Sequence, residues 1–245
     1  MPKTINEATS TKLGLKASHN MSFTLLTRRV VLRSFSKPGI IACQRRSLKT
    51  LPSFSLEGKT CVVTGAGRGL GKEFLTAFAL SGARGACVDI SLEGGQDSIK
   101  HIQDHISQGK SDFSPDLRAY ACDVTSEQHV KETWGSIIRD FGKVDVVVTA
   151  AGIVENFEAE NYPYDRWNRM MDVNLNGSFL FAREAGKFWI DRKMRGNLIL
   201  VSSMSSMICV RPQKQAAYNA VSYGLYYCVL ILDCIVKLRY EKDNG

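Results

Sequence analysis

Between Thr64 and Gly71 the chain reads Thr-Gly-Ala-Gly-Arg-Gly-Leu-Gly. The apolar run Cys61-Val62-Val63 precedes it, and a helix-like run from Lys72 to Leu80 follows. A glycine-rich turn from strand to helix can cradle phosphate, because glycines let the backbone approach a pyrophosphate while the unpaired N–H groups and positive dipole end of the helix attract the anion. Alone the pattern is unspecific. Here a second apolar run, Ala86-Cys87-Val88, ends in Asp89, about 20 residues on, where ribose hydroxyls need an acceptor. The combination reads as a dinucleotide site built from Gly65, Arg68, Gly69, Leu70, Gly71 and Asp89. Asp89 would accept from an adenosine 2′-hydroxyl and repel a 2′-phosphate, favouring NAD, whereas Arg68 could pair with that phosphate and favour NADP. The strand-end position of Asp89 tips the expectation toward NAD.

The elements that must position this site alternate. Strands are expected over Lys59 to Val63, Gly85 to Asp89, Leu117 to Ala121, Val144 to Ala150 and Leu198 to Ser202. Helices are expected over Leu70 to Leu80, Gly94 to Gln108, Ser126 to Phe141 and, as one long element, Tyr164 to Phe188. Short, nearly all-apolar strands separated by helices imply an α/β fold with a doubly wound, Rossmann-like parallel sheet covered on both faces.

Residues 1–55 have a different composition. Between Glu7 and Glu57 there is no acidic residue, while Lys12, Lys16, Arg28, Arg29, Arg33, Lys37, Arg45, Arg46 and Lys49 fall among Ser, Thr and Leu. This is the composition of a mitochondrial transit segment, and Met21 to Arg33 would make a basic amphipathic helix, so Met21 is an alternative start. The segment to Leu56 carries +9 of a formal net charge of +8, leaving −1 for the remainder. The basic balance therefore belongs to the leader and gives no support for nucleic acid binding. Its apolar runs are short and broken by Arg, so no membrane span is expected. The expected location is the mitochondrial matrix, or the cytoplasm if the leader is not used.

Seven cysteines are scattered without a CxxC pair, which reads as free thiols in a reducing compartment. His101 and His105 lie four apart on a helix, but with no third ligand nearby they read as a solvated face, and no metal is expected.

Six motifs occur in order: the glycine turn, Cys122-Asp123-Val124-Thr125, Ala150-Ala151-Gly152, Asp172-Val173-Asn174-Leu175-Asn176-Gly177, Val201-Ser202-Ser203-Met204-Ser205 and Tyr218-Asn219-Ala220. Together they resemble the short-chain dehydrogenase/reductase family over Leu56 to Ala220. The variant Ser-Met-Ser with Pro212-Gln213 and Gln215-Ala216-Ala217 looks closest to fungal-type polyol dehydrogenases and ketose reductases. The resemblance implies that Asp123, with Val124, contacts the adenine, that Ala151 and Gly152 lie along the cofactor, and that Asn174, Ser203 and Tyr218 are catalytic. Thr149 and Ala150 stand where the family often has two asparagines. A small-molecule substrate is implied, and homo-oligomers are implied for the full-length family, an expectation not extended to this chain.

Hydride transfer between a nicotinamide and a secondary alcohol needs a base for the hydroxyl proton and a donor for the developing oxyanion. Tyr218 would be the acid/base, Ser203 would hydrogen-bond the substrate oxygen, and Asn174 would organise a water relay. Free tyrosine titrates near 10, so it is a poor base unless a cation stabilises its phenolate. The family supplies that cation as a lysine four residues after the tyrosine, where this chain has Ser222.

From Val221 onward the sequence departs from the family motifs, and Val-Ser can be encoded as an intron 5′ splice sequence. The expectation is an incomplete dinucleotide-binding catalytic domain over 56–220, lacking the family's last strands, followed by a tail over 221–245 that translates a retained intron; the alternative is a divergent C-terminus. Three functions stay open: an NAD(P)-linked oxidoreductase of polyols or ketoses, a nucleotide-binding fragment without catalysis, and a mitochondrial 3-oxoacyl thioester reductase.

Overall fold

A computed structural model describes residues 52–108 and 114–228. The leader up to residue 51, the helix proposed from Met21, Cys43, Cys234 and the tail beyond 228 lie outside the described residues.

Five parallel strands, β1 (Thr60–Thr64), β2 (Arg84–Asp89), β3 (Leu117–Ala121), β4 (Val146–Thr149) and β5 (Asn197–Leu200), lie in the order β3-β2-β1-β4-β5. Helices α1 (Gly69–Leu80), α2 (Leu92–Gln108), α3 (Glu127–Phe141), α4 (Tyr164–Met170) and α5 (Gly177–Asp191) intervene, and α6 covers residues 216–228. The order reverses beside β1, so a crevice is expected outside the carboxyl ends of β1 and β4.

Alternation along each strand decides which helix layer covers which face. Cys61 and Val63 of β1, Cys87 of β2 and Val146 and Val148 of β4 join Leu75 and Ala79 of α1 and Ile99, Ile102 and Ile106 of α2 in one core. Val62, Ala86, Val88 and Val147 point the other way, into a second core with Val130, Trp134 and Ile137 of α3 and Phe181, Ala185 and Phe188 of α5. Both faces are buried along β1, β2 and β4, which is why their inner positions, Cys61-Val62-Val63, Ala86-Cys87-Val88 and Val146-Val147-Val148, are apolar. Full burial of a side chain such as Leu75 or Phe181 contributes about 1.5–3 kcal/mol. In β5, Asn197 and Ile199 are exposed, as fits its place at the end of the strand order.

Local signals set the helix ends. Ser126 caps α3 by accepting from the His129 N–H, and Gly142 closes it at φ 74°. At the opposite end of the sheet from the crevice, Asp145 accepts from the Thr60 N–H at 2.9 Å and pairs with Lys59 and Lys143, each at 3.2 Å. Burial pushes its carboxyl up, but the Thr60 N–H and the two ammonium groups outweigh burial and hold it below the usual carboxylate range.

The single long helix expected over Tyr164 to Phe188 is instead three elements, because a π-helical segment (Met171–Asn176) separates α4 from α5. Ser178 Oγ donates to the Asn174 carbonyl within this joint at 2.8 Å. Periodicity could not reveal the joint, since Met170, Met171, Val173 and Leu175 are apolar in either helix type.

Cys61, Cys87 and Cys122 are buried free thiols, while Cys209 is exposed and Cys228 half-buried. Burial, with Asp145 or Asp89 nearby, pushes Cys61 and Cys87 up to about 12, so neither is a nucleophile near neutral pH.

Candidate active site

The glycine turn is packed so closely that side chains have no room. Gly65 has φ +67°, and a Cβ there would lie 2.7 Å from Ala151 Cα and 2.9 Å from the Ala150 carbonyl oxygen. At Gly71 a Cβ would sit 2.3 Å from the Gly65 carbonyl oxygen. Asp89 closes the turn from the end of β2: Oδ2 accepts from the Gly67 N–H at 2.9 Å and Oδ1 from the Ser91 N–H at 3.1 Å. Ser98 of α2 donates to the Gly67 carbonyl at 2.8 Å. Gly67 belongs to the expected glycine turn, whereas Ser98 is a long-range partner with no sequence signal.

Helix α1 starts beyond Arg68, whose backbone is extended and whose side chain does not cap the helix. The first N–H groups of α1 are thus available to an anion. Arg68, Gly69 and Leu70 are exposed at this end, Leu70 at 68%. A narrow glycine turn, an uncapped helix start and a carboxylate at the next strand end fit a dinucleotide pyrophosphate and ribose.

Across the crevice, Thr64 Oγ1 accepts from the Ala150 and Ala151 N–H groups at 3.1 and 3.2 Å, fixing the turn that leads into Gly152. Thr64 opens the glycine motif, and its bonds to Ala150 and Ala151 are the part with no sequence signal. Thr149 is 2% exposed and its hydroxyl has no partner among the described residues. Asp123 follows β3, and the Cys122 N–H donates to the Asp89 carbonyl at 2.8 Å, so Asp123 and Asp89 leave neighbouring strands together. Thr125 donates to Asp123 Oδ1 through its hydroxyl and its N–H, which holds this carboxyl below its usual range. Val124 is buried under Gly177, where a Cβ would meet it at 2.8 Å.

Asn174 lies in the π-helical segment and is 6% exposed. Its Nδ2 donates to the Ile153 carbonyl at 2.8 Å and its Oδ1 accepts from the Ile153 N–H at 2.9 Å. The side chain of Asn174, the residue expected to organise a water relay, thus binds the backbone that follows Gly152.

Ser203 follows β5. Its Oγ accepts from the Ser205 N–H at 3.2 Å, which leaves the hydroxyl hydrogen to donate to a substrate oxygen. Tyr218 stands in α6, half-buried against the cluster of Met170, Ala217 and Val221 that also touches Ile153 and Leu175. Ser202 Oγ donates to the Ser222 carbonyl at 2.7 Å, tying the end of β5 to α6 one turn after Tyr218. Ser203 thus follows β5 next to the Ser202 contact with the turn after Tyr218, and the Asn174-held loop follows β4, at the same end of the sheet as the glycine turn after β1. Ser222 is 3% exposed, and no basic side chain hydrogen-bonds Tyr218 among the described residues.

A model of the short chain dehydrogenase family matches residues 59–225, five residues past the last motif read from the sequence. Ribulose-forming D-arabinitol 2-dehydrogenase of Scheffersomyces stipitis is 31% identical over 189 residues, 75% of this chain and 68% of the relative. An NADP-dependent mannitol dehydrogenase of Alternaria alternata is 34% identical over 184 residues, 74% of this chain and 65% of its own length. Among solved structures, a short-chain type dehydrogenase/reductase from Mycobacterium marinum superposes with a TM-score of 0.70 at 26% identity, over 76% of this chain and 72% of that one.

Proposed function

Since the chain belongs to the short chain dehydrogenase family, we propose that it is an NAD(P)-linked oxidoreductase of a polyol and its ketose. The observation that supports this reading is that the glycine turn follows β1, Asp89 ends β2 and Ser203 follows β5, with Ser202 tied to the helix of Tyr218, all at the carboxyl ends of one parallel sheet. The arabinitol and mannitol dehydrogenases among its relatives support the substrate class.

The cofactor, when bound, supplies or accepts the hydride at the carbinol carbon. The chain's own residues do the rest. Gly65, Gly67 and Gly71 admit the pyrophosphate, and the α1 N–H groups offset its charge. Asp89, anchored by Gly67 and Ser91, presents a carboxylate to the ribose and favours NAD over NADP, with exposed Arg68 as the counterweight. Ser203 Oγ donates to the substrate oxygen, and Tyr218 Oη takes the hydroxyl proton during oxidation and returns it during reduction. Asn174 holds the Ile153 backbone and so the wall between cofactor and substrate.

Ser222 favours a second reading, dinucleotide binding with little turnover, because Tyr218 lacks the cation that would stabilise its phenolate. Nicotinamide fluorescence titrations with NADH and NADPH, followed by turnover of D-arabinitol, mannitol and acetoacetyl thioester, separate the readings. Polyol turnover supports the first, binding without turnover supports the second, and thioester turnover alone overturns the substrate class. The basic leader directs the chain to the mitochondrial matrix in this proposal; a reporter fused after Thr60 should be imported, and import should fail when Arg28, Arg29 and Arg33 become Glu.

A further inference from the structure

We propose that Phe157, Glu158 and Lys214 form a latch between the two loops flanking the reaction site, and that this latch sets where the helix carrying Tyr218 begins. One loop leaves β4 and the other leaves β5, strands that are neighbours in the sheet. The loops meet again 57 residues apart in sequence, where the Phe157 N–H donates to the Lys214 carbonyl at 2.9 Å and Phe157 forms a one-residue parallel bridge with Gln215. The Lys214 ammonium pairs with the Glu158 carboxylate beside that bridge.

Glu158 is held ready for this contact. The Asn161 N–H donates to its carbonyl and Asn161 Nδ2 to its Oε2, both at 3.0 Å. Lys214, and then Asn161, hold its carboxyl below the usual range. The Phe157 ring packs on Tyr162 at 5.0 Å between centroids, and Tyr162 meets Trp167 edge-on at 6.0 Å. Tyr162 and Trp167 pack on the same small core as Tyr218. On the other side, α6 opens immediately after the latch: the Asn219 N–H donates to the Gln215 carbonyl at 2.9 Å. Lys214 therefore precedes Tyr218 by about one helical turn.

An exposed ion pair by itself contributes little. Here the pair flanks the backbone hydrogen bond from the Phe157 N–H to the Lys214 carbonyl, so loss of the pair loosens the bridge that orients the first turn of α6. Glu158 and Lys214 touch neither the glycine turn nor Asp89, so cofactor affinity is independent of them.

The latch, as a device for presenting Tyr218, rests on the oxidoreductase reading, and its test has a readout that does not. Amide hydrogen exchange is followed in the full chain and in Glu158→Lys, Lys214→Glu and the double swap. Each single reversal is expected to speed exchange at Phe157 and Asn219 about fivefold, with β1 and β2 amides unchanged, and the swap is expected to restore native rates. NADH affinity stays constant throughout, and with polyol turnover the single reversals lower kcat without raising the cofactor KM. Exchange within twofold of native in both single variants, or a swap no slower than either, overturns the latch. Absence of turnover in the native chain would count against the oxidoreductase reading alone, since the exchange pattern still decides the latch.

Discussion

Replacing Asp89 by Asn tests the cradle at its most connected point. The native carboxylate accepts two backbone N–H groups on different oxygens, from Gly67 at 2.9 Å and Ser91 at 3.1 Å. An amide has one acceptor oxygen, so one of those N–H groups must face an NH₂ and lose its partner. Hydrogen bonds to a charged group contribute about 1.5–3 kcal/mol each, and about 1.4 kcal/mol is tenfold in affinity. If the glycine turn must be held in its bound shape, Asp89→Asn weakens NADH by about tenfold to a hundredfold. NADPH should lose less, because the substitution also removes a negative charge that opposes the 2′-phosphate. Fluorescence titration of both cofactors measures the ratio, and a thermal melt checks that the fold survives. Equal losses for NADH and NADPH would refute the assignment of Asp89 to the ribose.

Ser222→Lys by itself should restore little polyol turnover, since the site is 3% exposed and burying an ammonium costs free energy, but it should move the pH profile of oxidation toward lower pH because a cation near Tyr218 favours the phenolate; an unchanged profile would show that the missing cation does not limit Tyr218. Asn174→Ala leaves the Ile153 N–H and carbonyl without partners, at a cost of about 1–3 kcal/mol per group, which a urea melt should record together with a fall in kcat. Asp145 is lowered in the fold, so its contribution is present above the unfolded carboxyl's range near 3.9 and fades as pH falls through the folded value. Asp145→Asn should therefore cost about 1.5–3 kcal/mol at pH 7, and the gap to the native chain should shrink in melts below about pH 4.

The strands and helices that build the sheet are local events, and their residues announce them. Leu117–Ala121 appears as read, and the other strands differ by a residue or two at their ends, because alternation and flanking turns specify a strand while its last hydrogen bond depends on a neighbour. The glycine turn was legible for the same reason: its spacing encodes backbone conformations that only glycine adopts freely, as at Gly65. The resemblance to the family also marked Ser203 and Tyr218 as candidates for the chemistry and Ser222 as the departure from its pattern.

What the tertiary structure decided are the pairings between segments far apart in the chain. The π-helical joint at Met171–Asn176 is silent in an apolar pattern that suits either helix. The turn of Asn174 toward Ile153 depends on how that joint meets the β4 loop 21 residues earlier. Ser98 beneath Gly67, Thr64 under Ala150 and Ala151, and Lys214 against Glu158 are likewise polar side chains whose partners lie 31 to 87 residues away. A short-range pattern carries periodicity and turn chemistry, so it determines the fold and which residues are candidates for the chemistry. The direction in which a polar side chain spends its hydrogen bonds is settled only when packing brings its partner within about 3 Å.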